Sequence, residues 1–177
     1  PDDASAKTRG KALALSQADR SFGVAAIRET FEEAGVWLGD GTPSDEFRNS
    51  LNNRQATLAD APNLTADLGR LALWSWWITP EVEPKRYDTR FFVTLLTEAE
   101  ALHVSCDEVE TVEYRWILPK NAVAEAEAGT FFLAPPTYLT LCELASLLTG
   151  AAAMETAASR TVHPIIPKLD VQDGQWT

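Results

Sequence analysis

Residues 28–36 read Arg28-Glu29-Thr30-Phe31-Glu32-Glu33-Ala34-Gly35-Val36. Wound at about 100° per residue, the stretch from 21 to 36 puts Val24, Ile27, Phe31 and Ala34 on one face, the signature of a half-buried helix. Ser21 stands where an N-cap belongs, and Gly35 suits the left-handed residue that ends a helix. Glu29, Glu32 and Glu33 are spaced i, i+3, i+4 and gather opposite the apolar stripe. Like charges at that spacing cost a helix ~0.2–0.5 kcal/mol per pair. Arg28, four residues before Glu32, offsets one of them. Ala25, Ala26, Val36 and Trp37 bring no further cation. Such a carboxylate group is either a solvated acidic face or a seat for a hard divalent cation. Mg²⁺ prefers oxygen ligands and commonly bridges carboxylates to phosphate oxygens.

Around this helix the chain alternates. Residues 1–20 are small and polar and read as a loop with at most a helical turn. After the turn Gly39-Asp40-Gly41-Thr42-Pro43 comes a polar helix from Ser44 to about Ala56. Two strands follow, a Trp-rich one over Leu71–Thr79 closed by Pro80, and Tyr87–Thr97, close enough to pair antiparallel. In the first, alternation places Trp74 and Trp76 on one face and Trp77 on the other. A third strand is expected over Val109–Leu118, where Val112, Tyr114 and Trp116 alternate with Thr111, Glu113 and Arg115, with Pro119 as its stop. Helices are expected over Ala122–Ala128 and Thr137–Leu148, and an Asp173-Gly174 turn in the tail. No repeat or linker divides the chain, so 1–177 reads as a single α/β or α+β sandwich domain.

The chain has 177 residues, and 15 Lys+Arg against 26 Asp+Glu leave a net charge of −11. That balance speaks against a nucleic-acid polymer as partner, which needs a basic face. It leaves room for small anions received by a bound cation or a local basic patch. No run approaches the roughly 18–20 apolar residues of a membrane helix. Cys106 and Cys142 are too few for a disulfide scaffold and lack metal-ligand spacing. His103 and His163 stand alone, without a nucleophile. There is no G-x-S-x-G elbow and no phosphate loop, since Gly10-Lys11-Ala12 fails at its last position.

The 28–36 pattern resembles the second half of the Nudix box, G-x5-E-x7-R-E-U-x-E-E-x-G-U with U aliphatic. Arg28, Glu29, Glu32, Glu33, Gly35 and Val36 match; Thr30 departs at the first U. The first half does not match at direct spacing, where Arg20 and Ala14 occupy the acidic and glycine positions. The chain is similar to the long-insert coenzyme A diphosphatase branch of the Nudix hydrolases, in which an insertion splits the box. Under that resemblance Asp2-Asp3 is the acidic end of the first half, residues 4–20 are the insert, and the glycine-rich lead with at least one strand precedes residue 1. Leu73-Trp74-Ser75-Trp76-Trp77-Ile78-Thr79-Pro80 looks like the branch's W-S-x-W-x-T-P strand. Arg86-Tyr87-Asp88-Thr89-Arg90-Phe91-Phe92 looks like its R-[FY]-D-T-x-F-F segment. Ala134-Pro135-Pro136-Thr137 resembles the proline pair that opens its closing helix.

The resemblance implies a Nudix-type α/β/α sandwich with a mixed sheet, a metal-binding helix and helical insertions. It implies Mg²⁺- or Mn²⁺-dependent hydrolysis of a diphosphate joined to another moiety, CoA or acyl-CoA foremost. An ADP-ribose or dinucleotide pyrophosphatase is the alternative within enzymes, and a catalytically weak nucleotide-binding module the alternative outside them. Glu29, Glu32 and Glu33 are the metal ligands it implies, Arg28 orients them, and the general base is either a box glutamate or the loop residue Glu110, six residues before Trp116. Arg86 and Arg90 are candidate phosphate contacts and Trp76 a candidate stacking face for substrate. Gly35 is a backbone requirement. A cytoplasmic setting, no membrane, a small-molecule nucleotide diphosphate as substrate and a homodimer complete the expectations.

Overall fold

In the computed structural model, residues 8–9, 16–106, 113–168, 171–172 and 175–176 are described. Asp2, Asp3 and the acidic run Asp107–Glu110 fall outside them.

After the short strand β1 (Thr8–Arg9), the chain enters α1 (Gln17–Ala34). This helix starts a turn earlier than the Ser21 cap implies. Ser16 is the N-cap, and its Oγ accepts from the Asp19 N–H at 3.2 Å. Asp19 adds a negative charge to the first turn, where the helix dipole favours it. Val24, Ile27 and Phe31 are buried as the periodicity requires. β2 (Gly39–Asp40) and α2 (Asp45–Asn52) follow, the latter capped by Ser44 and ending before the expected Ala56. β3 (Thr65–Asp67) takes β1 on one side in parallel and β2 on the other antiparallel. Leu38, Leu51, Leu58, Ala66, Leu68 and Leu71 close with α1 into the main core.

β4 (Ala72–Ile78) and β5 (Asp88–Val93) form the antiparallel pair, and β6 (Pro164–Ile165) joins β4 in parallel, so the sheet is mixed. The register shifts between Leu73 and Ser75, leaving Trp74 as an extra, bulged residue. A bulge re-aims side chains, and here it overturns the expected pairing of tryptophans. Trp74 joins Ala72 and Ala157 in a second core, whereas Trp76 lies under Arg90, whose other neighbour is Phe22 of α1.

α3 (Glu98–Ala101), α4 (Pro119–Glu127) and α5 (Pro135–Ala145) follow, then α6 (Gly150–Ser159), an element that the sequence reading does not contain. Pro119 opens α4 and Pro135 opens α5, each in the first turn, where a missing N–H costs nothing. The strand expected over Val109–Leu118 is not formed in its described part. Residues 113–118 have no regular structure, and Tyr114, Trp116 and Leu118 are exposed. The alternation there had no apolar face to bury against. β7 (Val171–Gln172) and β8 (Gln175–Trp176) pair antiparallel. With α1 and α2 on one side of the β4 sheet and α5 and α6 on the other, the architecture is the expected α/β/α sandwich. Among the described residues, no single helix is long and apolar enough to cross a membrane.

Candidate active site

The three glutamates of α1 do not share one environment. Glu29 and Glu33 are exposed one turn apart, while Glu32 is buried at 8% relative exposure. Burying a carboxylate requires compensation, and Arg28 provides it. Its Nη1 donates to both oxygens of Glu32, at 2.7 and 2.6 Å, and its Nη2 bonds Glu29. Arg28 therefore contacts two of the three acids from within the same helix. Thr30, the departure from the aliphatic pattern, is accommodated locally: its Oγ1 donates to the Ala26 carbonyl at 2.7 Å.

A divalent cation, which the fold implies, fits this donor set by chemistry. The set offers carboxylate oxygens alone, on two adjacent helical turns, with Glu29 and Glu33 open to solvent. Among the described residues, no three His, Cys, Asp or Glu side chains converge into a ready-made cage.

The end of α1 is held tightly. Gly35 adopts φ 71° and its N–H donates to the Phe31 carbonyl at 2.9 Å. The Ala34 carbonyl accepts from the Ser105 N–H at 3.0 Å. The Glu32 carbonyl accepts from Arg48 Nε at 2.9 Å and from Asn52 Nδ2 at 3.5 Å. Three carbonyls that a helix leaves without partners at its C-terminus are thus satisfied. Arg48 and Asn52 are site residues that the sequence reading missed. The available signal was Arg48 three residues before Leu51, a cation on a face that α2 buries.

Arg90 has only 6% of its side chain exposed. Its guanidinium is 4.1 Å from the Phe22 ring centroid and 3.9 Å from that of Trp76, with Asp19 at 3.1 Å and Asp88 as the second ionic partner. Trp76 Nε1 donates to Asp88 Oδ1 at 2.6 Å. Arg90, Asp88 and Trp76 thus form one polar-aromatic lock between β5 and the first turns of α1. Arg86 is exposed and donates from Nε to the Thr79 carbonyl at 3.0 Å. Of the three tryptophans, Trp77 borders a cavity of about 500 Å³, together with Tyr87, Phe91, Pro135, Pro136 and Pro167. This cavity lies on the sheet face turned away from α1. Glu110, the candidate loop base, lies outside the described residues.

The layered arrangement is a Nudix fold. A solved Nudix hydrolase from Alicyclobacillus acidocaldarius superposes with a TM-score of 0.66 at 23% identity, covering 85% of this chain and 70% of that one. The family model described as the NUDT19 Nudix domain matches residues 4–144, and the chain belongs to that family of Nudix hydrolases. "Putative nudix hydrolase 7" of Caenorhabditis elegans is 34% identical over 137 residues, 71% of this chain and 44% of that protein. The acyl-coenzyme A diphosphatase NUDT19 of Gallus gallus is 31% identical over 153 residues, and its Homo sapiens counterpart 28% over 151. They share 70% and 72% of this chain and 40% of each relative. The chain thus spans about two fifths of the length of the curated relatives it matches.

Proposed function

We propose that this chain hydrolyses the pyrophosphate bond of a CoA- or acyl-CoA-type substrate with a divalent cation, Mg²⁺ or Mn²⁺. The observation that carries the reading is the Arg28–Glu29–Glu32 clasp on α1, inside a domain whose named relatives include acyl-coenzyme A diphosphatases. Water oxygen attacks one phosphorus, the bridging P–O bond breaks, and two phosphate-ester products leave. The cation, when bound, neutralises phosphate charge and orients it. Glu29, Glu32 and Glu33 would hold it.

The chain's own residues divide the remaining work. Arg28 holds the buried Glu32 carboxylate in place through two charge-assisted hydrogen bonds. Gly35 lets the chain leave the helix within one residue. The general base is a box glutamate or Glu110. Arg86, which is exposed, would meet phosphate oxygens, and Trp76 would offer its ring to a base. Arg90 acts behind them, holding β5 on α1, since its guanidinium is already enclosed by two rings and two carboxylates. The remaining assignments are one Nudix domain over residues 1–177, a cytoplasmic setting and a homodimer.

A hydrolysis screen over CoA, acyl-CoA, ADP-ribose and NADH, with and without Mg²⁺, tests the reading. CoA-type turnover dependent on the cation supports it. Preference for ADP-ribose or NADH transfers the assignment to the dinucleotide class. Nucleotide binding without turnover over long incubation overturns it in favour of a binding module. Full activity of Glu33→Gln on the best substrate would remove the metal assignment.

A further inference from the structure

We infer that Arg48 is a positioning residue for the carboxylate helix, acting by clamping the peptide between Glu32 and Glu33 to the segment around Ser105. The inference rests on the diphosphate-hydrolase reading of those carboxylates.

Arg48 is 8% exposed on α2, far in sequence from the glutamates, and each of its three nitrogens is used. Nε donates to the Glu32 carbonyl at 2.9 Å, Nη1 to Ser105 Oγ at 2.8 Å and Nη2 to the Ser105 carbonyl at 2.9 Å. Ser105 returns its own N–H to the Ala34 carbonyl at 3.0 Å. The Glu32 carbonyl belongs to the peptide that joins the two adjacent box glutamates. Fixing that peptide fixes the direction in which both side chains leave the helix. The acceptors are oxygens of neutral groups, so the guanidinium charge is directed at the C-terminal pole of α1, where the helix dipole is negative.

Gly35 belongs to the same device. A Cβ on it would stand 2.9 Å from Ser105 Oγ and 3.1 Å from Arg48 Nη1. A side chain there would push the clamp off the helix even if the backbone angle were tolerated. The planar fork of an arginine is required, because an ammonium group cannot span the three acceptors from one position. A cavity of about 280 Å³ opens beside the clamp, lined in part by Phe31, Gly35, Trp37, Arg48 and Ser105, so a shorter residue at 48 would leave its acceptors facing space instead of new packing.

The test uses the full chain and the variants Arg48→Met, Arg48→Lys and Ser105→Ala. Mn²⁺ affinity is measured by the paramagnetic signal of the free ion, and kcat and KM on the best diphosphate substrate, at temperatures where circular dichroism shows each protein folded. Arg48→Met is expected to weaken Mn²⁺ binding and lower kcat by about 10–100-fold, with KM little changed, the size of loss seen when outer-shell partners of metal ligands are removed. Arg48→Lys should recover part of the loss. Ser105→Ala, which deletes one acceptor and keeps the backbone, should cost about 3–10-fold. A folded Arg48→Met with unaltered Mn²⁺ affinity and kcat overturns the inference. If Arg48→Met does not fold, unaltered Arg48→Lys and Ser105→Ala overturn it equally. A wild-type protein that neither binds Mn²⁺ nor hydrolyses any diphosphate instead defeats the functional reading on which the inference stands.

Discussion

Trp74 and Trp76, two residues apart on one strand, face opposite sides of the sheet. The bulge between Leu73 and Ser75 turns Trp74 toward α6, where Arg160 lies 4.6 Å from its ring centroid. Trp76 turns toward α1 and takes Arg90 on its face. The two should therefore respond differently to truncation. Trp74→Ala removes a residue 1% exposed from a small core and should cost about 3–5 kcal/mol. Trp76→Ala gives up a half-buried ring and its cation contact, and should cost about 1–2 kcal/mol. Urea unfolding of both variants measures the difference; equal losses would contradict the split environment.

Arg28 and Glu32 yield a prediction that links stability to metal. Arg28→Met leaves a buried carboxylate without its cation and should destabilise the apo protein by about 3 kcal/mol or more. Saturating Mn²⁺ should restore part of that stability, because the ion binds only the folded arrangement and supplies positive charge. Thermal unfolding with and without Mn²⁺ gives the comparison. A variant as stable as wild type without metal would show that the pair contributes nothing.

Gly35→Ala should be harmful twice over. The residue sits at φ 71°, and an added Cβ meets Ser105 Oγ and Arg48 Nη1. The left-handed strain alone costs about 1 kcal/mol, and displacement of the clamp adds to it. Gly129 provides the control. It also has positive φ, at 72°, but nothing lies within 4 Å of its Cβ position. Gly129→Ala should lose the strain cost only, by chemical denaturation, and keep wild-type Mn²⁺ affinity.

Acid sensitivity should arise in part from Glu100. Its carboxyl is lowered from 4.5 to about 2, first by the Arg70 guanidinium and then by the Thr97 N–H and hydroxyl, against some desolvation. A carboxyl whose folded value is depressed binds its proton more readily in the unfolded chain. Its stabilisation is therefore complete above the unfolded value and disappears as pH falls through that value toward about 2. With a quarter of the side chain exposed, the Arg70–Glu100 pair and its capping bonds are worth about 1–2 kcal/mol at neutral pH after solvent screening. Glu100→Gln should lose this amount at pH 7, and the gap to wild type should narrow steadily below about pH 4. A gap that stays constant with pH would refute the assignment.

The helix that carries the acids was legible because its information is local. The recurrence of Val24, Ile27 and Phe31, the stop at Gly35 and the pairing of Arg28 with Glu32 all lie within about three turns of one helix. The β4–β5 hairpin was legible for the same reason. What misled was alternation without a partner surface: Tyr114 and Trp116 have strand spacing but stand exposed. Trp74 misled in another way, since a bulge inserts one residue and inverts every facing inferred before it.

From the sequence alone follow the family, the sandwich class, the acidic helix and the arginine that clasps it, since each depends on spacing along the chain. Only the tertiary structure decided that Glu32 is buried while Glu29 and Glu33 are open, that Arg90 is enclosed between Phe22 and Trp76, and that Arg48 and Ser105 close the end of the helix. These features join residues as many as 71 positions apart, as Asp19 and Arg90 are. No periodicity encodes such distances. They are set by which faces must be desolvated together, and by the need of every buried charge and helix-end carbonyl for a partner.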